Sequence, residues 1–531
     1  MMKKIVLTVL CIFAIASVVF AGGGGQQGAS KGQATITVEI FDRGTDGGKS
    51  NPVDNKWTQW IKEKILKDEN IVVNFVAVNR WTETEALVNL FAAGTPPDVA
   101  YTYSSDNIQN WADQGGIFDL APYIDTTLKD LKAFLGPDKA LAGRDLIRRN
   151  IDESTGKIFS IPGKRMNVAM RTIFIRKDWL DILGLPEPTT TQQYYDALLA
   201  FKQKDPGKVG ASKVIPFSMT GDRADWSAGN IMEAFINPKM SDKERWINST
   251  VRPFLLDGYK EGVRFMNKMY NAGLIDKDFP LYKGNDTTPG DLIKSGVVGS
   301  WSGDWDTIYR EPNGTFTDLR KNVPTANIVP IDPIQSSDGI THKGSYDSVG
   351  INFFIPASAK NPDAAMRYLN WLAKYENYHF VQTGPEGITH TIGADGVIKL
   401  DPSAAKDPAW IMNSNQNIDY TPMMNGLFLE TEEASIRALA AGYSWPADLI
   451  TYSYNMALRN ATPGLVVKTT SPLTVAGPLS QTLTDKGVVI YANAITCPVN
   501  QFDAVYDAGV KDWLASGAQA IIDERRAKFP N

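Results

Sequence analysis

The stretch from Leu87 to Asp125, LVNLFAAGTPPDVAYTYSSDNIQNWADQGGIFDLAPYID, constrains the fold more than any other. Ala86, Leu87, Leu90 and Phe91 recur at helical spacing, and Gly94 with Pro96 and Pro97 stops that helix. Asp98 to Tyr103 is then a short apolar run that reads as a buried strand. It ends in Tyr101, Tyr103, Ser104, Ser105 and Asp106, so aromatic and polar groups gather at its carboxyl end. In an open α/β sheet that is the end at which ligands bind. A further helix closes on the Gly115–Gly116 pair.

The same alternation runs through the first part of the chain. Thr35 to Phe41 alternates as a strand, and a helix from Asp54 carries Trp57, Trp60, Ile61 and Ile65 on one face. Ile71 to Val78 is a second strand and Ala86 to Ala93 a second helix. Strands alternating with helices predict a mostly parallel sheet covered by helices. Arg171 to Arg176 is a strand opening onto a short helix that ends at Gly184, after which Thr190 or Thr191 N-caps the next. Asp291 to Trp305 reads as helix, glycine stop, buried strand and aromatic-rich loop. Val349 to Pro356 is another strand, and Asn361–Pro362 start a helix with Ala365, Tyr368, Leu369 and Leu372 as its apolar stripe. Asp507 to Lys528 predicts one amphipathic helix with Val510, Trp513, Leu514, Ile521 and Ile522 on one side. Residues from about 400 to 495 give no clear periodicity.

The N-terminus has the form of an export signal. Lys3 and Lys4 precede the apolar run Ile5–Phe20, and Val19-Phe20-Ala21 is a small-residue cleavage site. That run is short for a spanning helix, which needs about 20 residues. Cleavage after Ala21 would expose a Gly-rich tether, residues 22–34, with nothing to pack. Cys11 lies inside the apolar run rather than beside Ala21, so a soluble secreted form is expected rather than a lipoprotein. Cys497 is then the one cysteine left, and the mature chain must be held by its core, for which about 510 residues suffice in two or more domains. The net charge of −5 contains no basic cluster of the kind that binds nucleic acid.

No catalytic or phosphate-binding motif occurs, and His342, His379 and His390 are too few and too scattered for a metal cluster. The positive evidence is aromatic residues in turns after strands, because sugars present C–H faces to rings and hydroxyl edges to polar groups. Trp301 and Trp305 bracket Asp304 after the strand Val297–Val298. Trp81 follows the second strand, and Trp226 sits in the loop from Gly221. Trp57, Trp60, Trp371 and Trp513 lie on helix stripes and are assigned to the core.

Five segments, taken in order, resemble the family-1 extracellular solute-binding proteins, the ligand-capturing subunits of ABC importers, of the long LplA/LipO-like kind that binds carbohydrate. They are 87–125 with Ala93-Gly94-Thr95-Pro96-Pro97-Asp98-Val99, the segment 171–206, the loop 291–305, the helix 361–372, and FDAVYDAGVKDWLASGAQAIIDER from Phe502. The resemblance implies a two-lobe, hinged α/β fold of the periplasmic-binding-protein type II, with the ligand cleft between the lobes. On that frame, residues 35–165 and 346–400 form the first lobe and 166–345 and 401–531 the second, with the first crossing near 163–171. Tyr103, Ser105, Asp106, Trp81 and Arg165 are the expected ligand groups of the first lobe, and Trp226, Trp301, Asp304 and Trp305 those of the second. Glu386, in a turn near His390, is a further candidate or a plain turn residue.

The function implied is capture of a carbohydrate, an oligosaccharide or sugar derivative, and its delivery to membrane permease subunits by hinge closure. The expected protein is a periplasmic or cell-surface monomer that takes no cofactor and has no catalytic residues. Two rivals stay open. A secreted glycan-active enzyme would need paired carboxylates across the cleft, and Asp106, Asp304 and Glu386 could be misread as such a pair. A binding protein for a peptide or another polar nutrient is the other. The resemblance breaks at one place. Relatives of this length carry a D-P-N-x-N-G-x-x-D-E-I-P loop that holds calcium, whereas Asp205 to Pro216 here keeps only Asp205 as a ligand type and adds Lys208 and Lys213. No metal is expected there.

Overall fold

The computed structural model describes residues 32–530 apart from 45–47, 137–145, 153, 166, 223, 284–285, 311–313, 402–405, 412–418, 422–423, 426, 428, 430, 444, 466, 468 and 472. The expected signal segment with Cys11 and Ala21, and most of the tether, lie outside the described residues.

In the first lobe β1 (Ala34–Asp42) and β2 (Ile71–Asn79) pair in parallel along their full length. Val99, leading into β3 (Ala100–Thr102), bridges Val38 in parallel. β4 (Ile161–Arg165) is the last outgoing strand of this lobe. The chain then crosses into the second lobe as β5 (Arg171–Arg176), which lies between β7 (Val298–Asp304) and β8 (Ile328–Ile331) and runs against both; β6 (Ile215–Ser218) flanks β7 in parallel. It returns through β9 (Lys343–Ser345) to β10 (Val349–Phe354), which inserts antiparallel between β3 and β4. Each sheet thus holds one reversed strand, and that strand is the one delivered by a crossing.

The local reasons are legible. In α1 (Lys56–Glu69) the Asn55 side chain accepts from the amides of Trp57 and Thr58 while Thr58 Oγ1 accepts from Asn55 N, a reciprocal cap. Trp57, Ile61 and Ile65 then recur on the buried face. Thr190 caps the helix Thr191–Lys204 through Gln193 N. Asn361 does not cap its helix with its side chain; its Nδ2 donates instead to Thr35 O, tying that helix to β1. The predicted single C-terminal helix is two, Phe502–Trp513 and Gln519–Lys528. The chain bends between them at Gly517, whose φ of 125° L side chains avoid and beside which Leu479 fills the space a Cβ would need.

Residues beyond 400 do not all belong to the second lobe, where the sequence reading placed them. Trp410 O accepts from Trp57 Nε1, Asp419 pairs with Arg43 at 2.9 Å, and Tyr420 joins the first-lobe core. The helices Glu432–Tyr443 and Ala447–Leu458 do pack on the second lobe, against Phe174, Trp301, Trp305 and Ile328. Among the described residues no helix is long and apolar enough to cross a membrane.

Candidate functional site

The two crossings lie side by side. Arg165 N donates to Ser348 O and Tyr346 N to Val168 O, so the outgoing and returning chains are hydrogen-bonded to each other where they change lobe. Arg165 is the last residue of β4 and Arg171 the first of β5, so strand pairing on either side fixes one guanidinium on each lobe.

Three guanidinium groups in this region lie within 4.2 Å of an aromatic ring centre. Arg80, just after β2, is 4.1 Å from the Tyr103 ring centre, Arg165 is 4.2 Å from that of Tyr346, and Arg171 is 3.5 Å from that of Trp226. The pairs lie within electrostatic range of one another, Tyr103 of Arg165 and Tyr346 of Arg171. From the first lobe to the second the three pairs are Arg80 with Tyr103, Arg165 with Tyr346, and Arg171 with Trp226. Burial lowers the affinity of Arg165 and Arg171 for their protons, and burial pushes the Tyr346 phenol up to about 12.

Acidic groups stand around this row. Asp304, at the end of β7, is the cross-strand partner of Arg171. Its nearest cation is Arg310, at 3.8 Å, and its buried Oδ1 has no hydrogen-bond partner among the described residues. Burial raises the Asp304 carboxyl, with Arg310, Arg171 and Arg165 opposing. Glu233 faces Arg171, and burial pushes it up to about 7. The other nearby arginines are committed: Arg43 to Asp419, Arg310 to Asp306 at 2.6 Å, and Arg252 to Asp225.

The structure therefore brings Tyr103, Arg165, Trp226 and Asp304 together. Trp81 joins at the edge, 65% exposed with Arg80 beside its ring, and Trp226 is 36% exposed. Ser105 is exposed near Asn352, and Asp106 lies in the helix Ser105–Asp113 with its side chain outside the described residues. Trp301 and Trp305 are not exposed platforms. They are 6% and 4% exposed, with Trp301 against Phe174 and Trp305 edge-on to Tyr454 at 4.9 Å, because the helices of residues 432–458 cover that face of β7. Glu386 is exposed on a turn whose Gly384 abuts Trp57, and it bonds to none of Arg165, Arg171 or Asp304. Asp304 and Glu386 are thus not paired with each other, as the enzyme reading would require of them.

Sequence reasoning passed over Arg80, Arg171 and Tyr346. The available signal was positional: two arginines flank the first crossing and a tyrosine sits in the second. In the loop after Lys204, the Asp205 carboxylate accepts from the amides of Val209 and Gly210, closing its own turn. Among the described residues no group of three or more His, Cys, Asp or Glu is placed to hold a metal ion.

Comparison with known proteins follows the same lines. The sequence profile of the bacterial extracellular solute-binding proteins matches residues 48–378. The polygalacturonan/rhamnogalacturonan-binding protein YtcQ of Bacillus subtilis is 23% identical over 390 residues, 69% of this chain and 73% of that protein. The fructooligosaccharide ABC transporter substrate-binding protein FusA of Streptococcus pneumoniae is 30% identical over 199 residues, 35% of this chain and 36% of that one. Among solved structures, alginate-binding protein AlgQ2 without calcium ion superposes with a TM-score of 0.64 at 18% identity, covering 94% of this chain and 98% of that one. That likeness is one of fold.

Proposed function

The chain belongs to the bacterial extracellular solute-binding proteins, and on that premise we propose that it captures an oligosaccharide between its lobes and presents it to an ABC importer. The observation that carries the reading is the row of rings and hydrogen-bonding groups spanning the crossings, with exposed Trp81 and Trp226 on opposite lobes. Rings supply flat apolar faces for sugar C–H groups, and Asp304 and the guanidinium edges supply partners for hydroxyls. The two-lobe frame supplies the mechanism: ligand contacts made from both sides favour the closed arrangement, and closure is the signal the permease reads.

On this reading the protein is a binder without turnover, a monomer, and a secreted chain whose mature form starts at Gly22 without a lipid. Its permease partners are membrane subunits, and nucleic acid is no ligand. The test is a thermal-shift and calorimetric screen of the mature protein against neutral and acidic oligosaccharides. A ligand at about 100 Kd should add about 2.7 kcal/mol of stability, and Trp81→Ala and Trp226→Ala should weaken whatever sugar binds. Release of shorter sugars on incubation would favour the enzyme reading, and binding of peptides alone would favour the other rival.

A further inference from the structure

We propose that the sugar taken by this cleft is an anionic one, its acidic groups gripped by the edges of Arg80, Arg165 and Arg171. This rests on the carbohydrate reading and narrows it. Among the described residues none of the three has a carboxylate within ion-pair distance, whereas Arg43, Arg252 and Arg310 beside them each have one. The Arg165 side chain makes no hydrogen bond there either; Arg171 spends one Nη1–H on Asp225 O at 3.3 Å, and the buried Nε atoms of Arg80 and Arg171 are unpartnered.

What the three do have is a ring under each face, at 4.1, 4.2 and 3.5 Å. Stacking holds a guanidinium flat and uses its face, leaving the in-plane N–H fork as the unspent part. That fork matches two coplanar acceptor oxygens, as in a carboxylate, or two oxygens of a sulfate. Asp304 offers charge to Arg165 and Arg171 without bonding to either. Closure over a neutral sugar would leave three guanidinium groups desolvated with no carboxylate bonded to any of them, a costly arrangement. A ligand carrying one anionic group per sugar unit supplies the missing acceptors along the row.

The experiment is calorimetry on the mature protein with oligosaccharides of galacturonate, glucuronate, mannuronate and guluronate, their methyl esters, and sulfated neutral oligosaccharides. The ester keeps every hydroxyl and removes only the charge. An acid bound at least tenfold more tightly than its own ester supports the proposal and identifies a carboxylate; tight binding of a sulfated sugar alone supports it with sulfate as the anion. Arg165→Gln and Arg171→Gln should each lower acid affinity about 10- to 100-fold and ester affinity by a smaller factor, so that the acid-to-ester ratio falls. Arg165→Lys, which keeps the charge and loses the fork, should recover only part of that. Esters or neutral sugars bound as tightly as acids, or an acid-to-ester ratio untouched by Arg165→Gln, would overturn the inference while leaving sugar binding intact. Absence of binding by any sugar would instead remove the carbohydrate reading on which it stands.

Discussion

Truncating Trp301 or Trp305 to alanine separates core from cleft. Trp301 packs on Phe174, and Trp305 meets Tyr454 edge-on while its carbonyl accepts from Ser453 Oγ. A buried indole removes about 150–250 Å² from water, which at about 25 cal/mol/Å² corresponds to about 4–6 kcal/mol. Alanine keeps part of that and the site relaxes in part, so the expected loss is about 3–5 kcal/mol. For a unit of this size each kcal/mol moves the melting temperature by about 2–4 °C, so either variant should melt roughly 6–20 °C lower. Circular dichroism melts of wild type, both variants and Trp226→Ala check this, with ligand affinity measured well below the transition. Trp226→Ala should melt near wild type and lose affinity; Trp301→Ala should do the reverse. A Trp301→Ala protein that melts within about 2 °C of wild type and no longer binds sugar would refute the assignment of that indole to the core.

Glu233 gives a pH signature. Its native carboxyl titrates near 7 against 4.5 for the free group, so between those values the folded protein binds more protons than the unfolded chain and stability falls as pH rises. Glu233→Gln should therefore match wild type in urea midpoint near pH 4 and exceed it at pH 8; equal midpoints at both would show that Glu233 ionises freely. A calcium chelator should leave the melting temperature unchanged as far as the 205–216 loop is concerned, since Asp205 is occupied by Val209 N and Gly210 N. A chelator-induced fall that Asp205→Asn abolishes would show the loop holding an ion.

Strands and helices near the crossings were legible because their patterns are strong: period-two alternation in β1, the stripe of α1, glycine stops at Gly94, Gly115 and Gly296 with φ of 70°, 70° and 86°. The first-lobe half of the site was legible for the same reason, since β3 hands Tyr103 to its carboxyl end. Trp301 in β7 and Trp305 just after it were misread because an indole near the end of a strand looks alike whether it faces solvent or a covering helix. The cover comes from residues 432–458, in the part of the chain without clear periodicity. Arg171 was missed for another reason: its site character comes from its place beside Trp226 and Asp304, and no local pattern encodes that.

The mutual hydrogen bonds of the two crossings put a limit on leverage. Arg165 and Arg171 stand six positions apart in sequence, so their Cα atoms stay within about 20 Å in any arrangement of the lobes, and both flank the joint. Displacement during a rotation grows with distance from its axis, so these two side chains travel least. On the proposed reading they meet a ligand in much the same way before and after the lobes swing together, and so set how tightly it is held more than how far the swing goes. The torque that completes the motion has to come from groups at longer radius. Selectivity and signalling would then reside in different residues, and each could drift in evolution without disturbing the other.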